Sequence, residues 1–396
     1  MVSVEEAESI ILNNLFKTRK TTIAIEDAVG YILAETIEAD RDFPPFNRVA
    51  MDGIAINSEI FNSGERTYFL EGILAAGMPP KKLHQKQNAI EVMTGSMLPE
   101  GTDVVIRYED IEIKNGTATI LINTIEPAFN IHPQGQDAKK GEVLLSEGIK
   151  ISPAEISLLC SVGKSQVKVF QLPKTAIIST GDELVDVNQA PQDWQIRRSN
   201  VYAVQAALKQ MNHVADQFHI KDSNESLAKE LKRIFESYEL IILSGGVSKG
   251  KYDFVPEALE QQGIKKLFHL VSQKPGKPIW FGKSNTHTVF ALPGNPVSTY
   301  MCLYRYIKPW LEKSIGTQPE KAYAILASDF QFKPALTYFL QVKIVNEQGK
   351  LMAYPNAGGG SGDFANLKEV DGFLELPLAK SEFKAGDIFP YYSFRG

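Results

Sequence analysis

Three short stretches of this sequence carry residue types suited to holding a phosphate. They are Ser179-Thr180-Gly181-Asp182-Glu183-Leu184, Ser244-Gly245-Gly246-Val247-Ser248 followed by Gly250 and Asp253, and Leu292-Pro293-Gly294-Asn295-Pro296-Val297-Ser298. Paired glycines let backbone N–H groups approach an anion closely. Asn295 can cap a helix and Pro296 can start one, and a helix N-terminus favours phosphate. Asp182, Glu183 and Asp253 add carboxylates. Mg2+ usually takes one or two of these, with waters and substrate phosphates completing its shell. Lys274-Pro275-Gly276-Lys277-Pro278 sets two lysines on a stiffened loop, as point charges for a phosphate or another oxyanion. Any one of these loops reads equally well as a tight turn, and the lysines as solvated surface charges. Taken together they point to a magnesium-assisted enzyme acting on a phosphate-bearing small molecule. No Ser–His or Cys–His nucleophile is apparent, and His132 and His269 read as ordinary loop or strand histidines.

Loops of this kind meet only if parallel strands deliver them to one edge. The runs TAIIST, HVADQFHI, ELIILSGG and THTVFALPG alternate with the helical stretches VYAVQAALKQM, NESLAKELKRIFESY, DFVPEALEQQ and PVSTYMCLYRYIKPWLEK. That alternation predicts a largely parallel, doubly wound sheet, with ligands beyond the carboxyl ends of its strands. Upstream, residues 3–15 read as a helix with Ser3 and Glu6 at capping-box spacing. Ser152-Pro153-Ala154-Glu155 starts another, which Gly163 ends. From about Phe46 to Gln136 the chain is strand-like. Its turns hold Met51-Asp52-Gly53, Thr94-Gly95-Ser96, Glu109-Asp110 and Gly135-Gln136-Asp137. A β-rich block between helices suggests a domain inserted into a discontinuous scaffold. From about 318 onward, short strands and the turn NAGGGSGD suggest a small β domain.

Composition narrows the partners. Asp and Glu outnumber Lys and Arg by 47 to 42, a net charge of -5, so there is no electrostatic footprint for nucleic acid. No run approaches the roughly 20 apolar residues that span a membrane. The amino end is acidic and amphipathic, unlike a signal peptide, and the expected location is cytoplasmic. Cys160 and Cys302 lie in apolar helical stretches and are expected as buried free thiols.

In their order, the stretches PPFNRVAMDGIAI, AAGMPP, VMTGSMLPEGTDVVIRYED, HPQGQDAKKGEVLL, STGDEL, QIRRSN, LSGGVSKGKYD, KPGKP, LPGNPVS and GGGSGD resemble the MoeA family, molybdopterin molybdenumtransferases that include the C-terminal domain of gephyrin. The resemblance runs over nearly the whole chain. It implies a multidomain α/β plus β protein. Residues 1–45 and 138–172 would form an elongated discontinuous domain and 46–137 an inserted β domain. Residues 173–317 would form a MogA-like doubly wound α/β domain and 318–396 a C-terminal β-barrel. It also implies a homodimer whose active-site cleft is completed by the second subunit. The implied reaction is Mg2+-dependent insertion of molybdate into adenylylated molybdopterin with release of AMP, and a MogA-type adenylyltransferase is a possible partner.

Carried over by motif, Asp52, Thr94, Gly95, Glu109 and Asp137 belong to the partner-subunit side of the cleft. Asp182, Glu183, Asp222 and Asp253 form the acidic set, with Asp182, Glu183 and Asp253 as metal ligands. Thr180, Gly181, Ser199, Gly245, Gly246, Ser248, Pro293, Gly294, Asn295, Ser298 and Ser361 contact the ligand, and Lys274 and Lys277 hold phosphate or molybdate. The chain departs from the family pattern in places. FDxSAMDG becomes Phe46-Asn47-Arg48-Val49-Ala50-Met51-Asp52-Gly53, and Arg198 replaces an acid in IRDSN. Leu336 and Ala365 stand where an arginine and a serine help hold the oxyanion. Two alternatives follow: a paralogue with an altered oxyanion site (tungstate insertion or hydrolysis), and a non-catalytic scaffold.

Overall fold

The computed structural model describes residues 1–221, 224–247 and 255–395, the side chains of 224–226 excepted. The chain divides into two compact units. One is Met1–Ala34, Gly148–Ile151 and Lys168–Gly396, and the other is Glu35–Glu147 with Ser152–Val167.

The first unit holds the expected α/β sheet. Its order is Ala215–Ile220, Thr175–Thr180, Leu240–Ser244, Thr288–Leu292, Trp280–Lys283, Lys265–His269. The first four strands are parallel, Trp280–Lys283 runs antiparallel to them, and Lys265–His269 pairs antiparallel with Trp280–Lys283. Every residue of Thr175–Thr180, Leu240–Ser244 and Thr288–Leu292 is buried, as a sheet covered on both faces requires. Successive side chains feed opposite layers. Ile177, Ile242 and Phe290 pack with Val204, Leu208 and Trp310, whereas Ile178, Ile241 and Leu243 pack with Leu227, Leu231 and Leu259.

The long helical stretch after Pro296 runs as an α-helix to Cys302, a π-turn over Leu303–Ile307, and an α-helix over Lys308–Ser314. Pro309 has no N–H and would crowd the carbonyl four residues back, and the wider π-turn accommodates it. The amino-terminal helix spans Val4–Leu12, shorter than the 3–15 expected, with the Ser3–Glu6 capping box formed. Leu15 lies beyond its end but still packs on the same core.

The carboxyl-terminal strands pair in the order Thr337–Glu347, Lys350–Pro355, Ala322–Leu326, Ile388–Ser393, Gly372–Leu376. The last pairs back with the first, so the sheet closes into a five-stranded barrel without free edges. Gln273–Lys274 adds a short parallel strand alongside Thr337–Tyr338.

The second unit carries a six-stranded sheet ordered Val104–Arg107, Gly53–Ile56, Ala89–Val92, Thr67–Leu74, Thr117–Ile120, Ile111–Lys114. Gly53 is fixed by its neighbours, because a Cβ there would stand 1.8 Å from the Ile106 carbonyl oxygen. The helix Pro153–Ser161 has its capping box from Ser152 and Glu155. Cys160 corrects the expectation of two buried thiols. Cys302 is buried, but Cys160 is exposed. Only Leu159 of that helix is buried, and one residue on the helix turns by about 100°. Among the described residues no helix is long and apolar enough to cross a membrane.

Candidate active site

In the first unit the three loops lie side by side, because they leave adjacent parallel strands at the same end. Gly245 N–H donates to the Leu292 carbonyl at 3.0 Å, tying the second loop to the third. Gly245 (φ +104°) and Gly246 (φ +69°) lie in the left-handed region. A Cβ on Gly245 would be 2.9 Å from the Thr180 carbonyl oxygen, and one on Gly246 2.6 Å from Val255 Cγ2. Side chains are therefore excluded twice, by φ and by space. Against these glycines, at the end of the strand Thr175–Thr180, sits Thr180. It is 5% exposed, and its hydroxyl has no hydrogen-bond partner among the described residues. A buried unpaired hydroxyl costs on the order of 1–3 kcal/mol, so it stands ready for a ligand oxygen.

Asp182 and Glu183 are exposed on this crest, and the Glu183 carboxylate folds back over Gly181 (φ +139°). Asp222, Ser248, Gly250 and Asp253 lie outside the described residues. Among those described, no three His, Cys, Asp or Glu side chains gather as a metal cluster.

Sequence reasoning missed the residue that stitches the loops together. Asn200 Nδ2 reaches Ser244 Oγ at 3.0 Å, the Gly294 carbonyl at 2.7 Å and Thr299 Oγ1 at 3.2 Å. Its neighbour Ser199 is the N-cap of the following helix but makes no side-chain cap. One expectation is corrected here, the capping role of Asn295. Asn295 is an N-cap by position, but its amide donates to Ser361 Oγ at 2.9 Å instead of capping. Ser298 is 3% exposed. Pro293 is buried and Gly294 exposed. Ser361 arrives from the barrel side, and its carbonyl accepts from Val297 N–H at 3.2 Å.

The KPGKP loop is seated against the helix that starts at Pro296. A Cβ on Gly276 would meet Met301 Cε at 2.7 Å and Cys302 Sγ at 2.8 Å. Gln273, fully buried, donates to the Gly276 carbonyl at 2.9 Å and accepts from the Tyr306 hydroxyl. Lys274 and Lys277 remain exposed, with Lys274 Nζ 5.8 Å from the Phe332 ring centre.

The second unit gathers its own set. Asp52 accepts from Thr94 N–H at 2.6 Å and from Thr94 Oγ1 at 2.7 Å. Those bonds, backbone first, hold its carboxyl below the usual range. Gly95 (φ +85°) completes that turn. Tyr108 N–H donates to the Asp52 carbonyl at 3.2 Å, and Glu109 is exposed one residue on. Burial, then Glu91 and Asp52, push the Tyr108 hydroxyl up to about 12. Asp137 Oδ1 meets His132 Nε2 at 2.8 Å, and His132 Nδ1 meets the Arg48 guanidinium at 2.9 Å. A guanidinium only donates, so Nδ1 accepts and the ring proton is assigned to Nε2, facing Asp137. His132 is thus no ordinary strand histidine. The signal for it is the register that sets His132 opposite Arg48. His269 does read as structural, with Nε2 3.0 Å from the Val247 carbonyl.

The chain matches three family models: the MoeA N-terminal region (domain I and II) over residues 2–163, a probable molybdopterin binding domain over 176–313, and the MoeA C-terminal region (domain IV) over 323–394. It is 40% identical, over 100% of both chains, to a molybdopterin molybdenumtransferase of Synechocystis sp.. The chain belongs to the molybdopterin molybdenumtransferase family. It is 32% identical to the Haemophilus influenzae molybdopterin molybdenumtransferase over 98% of this chain and 97% of that one. The crystal structure of the Pyrococcus horikoshii molybdopterin biosynthesis MoeA protein superposes with a TM-score of 0.87 at 28% identity, covering 100% of both chains. The chain is accordingly a transferase of molybdenum cofactor biosynthesis, with molybdopterin as substrate.

Two of its departures from the molybdenumtransferase pattern have local explanations, one in each unit. Asn47 keeps an acceptor where the acid is lost, with Oδ1 2.9 Å from Gln134 N–H. Arg198 is neutralised by Asp186 at 2.5 Å, and Asp186 also accepts from the Tyr202 hydroxyl at 3.2 Å. Leu336 packs against the barrel core, and Ala365 is exposed on the short helix Phe364–Lys368.

Gly246→Ala tests the cradle. The added methyl meets Val255 and forces a residue with a side chain into positive φ, at a cost of about 1–3 kcal/mol. AMP affinity measured by calorimetry is expected to fall at least tenfold with the far-UV circular dichroism unchanged. Unaltered affinity would show that the Gly245–Gly246 backbone does not hold a phosphate.

Proposed function

We propose that the chain inserts molybdate into adenylylated molybdopterin with the help of Mg2+, releasing AMP. The observation that carries this reading is the Gly245–Gly246 turn beside the Thr180 hydroxyl, which has no partner among the described residues, at the end of the sheet where doubly wound folds hold phosphates. Donor chemistry also fits the ion, since Asp182 and Glu183 are exposed carboxylates on that crest and Mg2+ needs few protein ligands when phosphates supply the rest. When bound, Mg2+ would neutralise phosphate charge. The chain's own residues do the positioning. Backbone N–H groups of the glycine turn and the Thr180 hydroxyl orient the phosphates. Lys274 and Lys277 offer point charges to phosphate or molybdate, and Asn200 keeps the loops in register. A MogA-type adenylyltransferase would supply the activated substrate. The chain would act as a homodimer, with the Asp52, Thr94, Gly95, Glu109 and Asp137 group of one copy completing the other copy's cleft, and with the four-domain division given above.

The test is AMP release from adenylylated molybdopterin by the purified chain with Mg2+, with and without molybdate. Molybdate-dependent release with active cofactor as product is expected, and Asp182→Asn should lower turnover roughly a hundredfold without unfolding the chain. Turnover unaffected by that substitution would remove Asp182 from the site. Leu336 and Ala365 favour a second reading, a paralogue with a changed oxyanion subsite. Release indifferent to molybdate, or dependent on tungstate, would decide for it.

A further inference from the structure

At the opposite edge of the α/β sheet from the crest, where the parallel strands begin, lies a cleft of about 1200 Å³. Its wall is built by the segments that precede Thr175, Ala215, Leu240 and Thr288, together with residues 15–19. Four cations line it (Lys17, Arg19, Lys174 and Lys283) against two carboxylates, Glu236 and Glu239. Glu239 is already spent. Its Oε1 pairs with Arg19 at 2.5 Å, and its Oε2 accepts from Lys174 N–H at 3.2 Å.

Lys283 is the group that most needs explanation. Its ammonium donates to the Leu15 carbonyl at 2.8 Å, and no carboxylate pairs with it among the described residues. Burial alone pulls its pKa below the ordinary lysine value. A partly buried cation without a counter-charge is costly, and a bound anion would relieve that cost. Lys17, two residues past Leu15, is exposed and unpaired among the described residues. A second group points the same way. His213, 3% exposed, lines the cleft, and its Nε2 lies 3.0 Å from the Pro173 carbonyl, which can only accept. Thr175 Oγ1 lies 2.7 Å from the same nitrogen and itself donates to the Pro173 carbonyl, so the proton sits on Nε2, and Nδ1 is a buried acceptor with no partner among the described residues. A ligand N–H would satisfy it. Half-buried rings, Phe16, Tyr31, Phe170 and Tyr238 among them, offer flat apolar surface beside these polar groups.

We propose that this cleft is a second ligand site, taking a small phosphorylated molecule that carries an N–H-bearing aromatic heterocycle, a nucleoside monophosphate in chemical class. The phosphate lies against Lys283 and Lys17, and the ring lies among the aromatic side chains with an N–H on His213 Nδ1. The site is separate from the crest and does not depend on the molybdate chemistry there.

AMP is the probe, titrated calorimetrically into the full chain, with inorganic phosphate as competitor. Lys283→Gln and Lys17→Gln are each expected to raise the Kd of one AMP component at least tenfold, whereas Asp182→Asn leaves that component unchanged. Phosphate alone should displace AMP from it. No AMP component sensitive to either lysine substitution would overturn the proposal. Should Lys283→Gln fail to fold, Lys17→Gln decides alone, since Lys17 is exposed. Failure of the crest reading would look different, as loss of the component that Asp182→Asn or Gly246→Ala affects.

Discussion

Replacing Arg305 by alanine is expected to destabilise the first unit by about 3–5 kcal/mol, the usual consequence of removing one partner of a buried ion set. The Arg305 side chain is 3% exposed, with Nε 2.7 Å from Glu375 and a terminal nitrogen 2.8 Å from Glu8. Its guanidinium also lies 5.2 Å from the Tyr306 ring centre and 5.1 Å from that of Tyr392. Burial works against its charge, and Glu375, the two tyrosines and Glu8 more than offset it. Three elements meet at this one group: the amino-terminal helix through Glu8, the π-turn through Arg305, and a barrel strand through Glu375. Alanine would leave both carboxylates short of their counter-charge, Glu375 the more buried of the two. Urea denaturation followed by tryptophan fluorescence reads the loss, because Trp310 packs in the same core as the amino-terminal helix. Adding Glu375→Gln to Arg305→Ala should recover part of the stability, since the stranded charge is then gone. A midpoint unmoved by Arg305→Ala would mean that the ion set does not join these elements.

The fold was legible wherever a local pattern and the tertiary environment ask for the same thing. Thr175–Thr180, Leu240–Ser244 and Thr288–Leu292 are uniformly apolar runs because both faces of a parallel sheet are covered, and length with flanking glycines marks them as strands. Ser3 and Ser152 announce their helices through capping boxes that need only four residues to read. Lys265–His269 and Trp280–Lys283 escaped, because an antiparallel edge beside a loop does not repeat the strand–helix rhythm. Barrel closure escaped local reading too, and only the family resemblance implied it. It rests on Tyr338–Val342 pairing with Gly372–Leu376 some thirty residues later, which no short window contains.

At the site, glycines were legible and partners were not. Gly245 and Gly246 stand out in sequence because little besides a turn or a close approach calls for two in a row. Asn200 does not stand out, since its three acceptors come from strand ends and a helix 44 to 99 residues further along. The same holds for Arg48, 84 residues from the histidine whose tautomer it sets. Asn295 shows the opposite error. A capping residue at the right place was taken from its capping role by a tertiary partner, Ser361.

Acidification below about pH 6.5 should weaken the first unit, and His213 is a main reason. Burial pulls this histidine down to about 4, and its hydrogen bond to the Pro173 carbonyl only partly opposes that. An unfolded histidine titrates near 6.5. Because the folded value is the lower one, the unfolded chain binds more protons between about pH 6.5 and 4, and stability rises with pH across that window. The contribution is complete above about 6.5 and is lost as the pH falls toward 4, a total loss of about 3 kcal/mol. Glu8 acts in a lower window. Burial raises its carboxyl, Arg305 and Lys321 more than offset this, and its net pKa is depressed, so its contribution fails only as the pH falls through that depressed value. His213→Gln separates the two, because glutamine can keep a donor toward Pro173 and carries no charge at any of these pH values. The wild-type chain should lose stability between pH 6.5 and 4 more steeply than the variant, in which His219, also pulled down by burial, still contributes, and both should share the loss below that window. Equal slopes in both proteins would place the acid sensitivity elsewhere. An AMP-like ligand donating an N–H to His213 Nδ1 would hold the ring neutral further into acid, so in the same titration with ligand present the wild-type loss should start at the same pH but extend to lower pH, and the variant's profile should stay as it was.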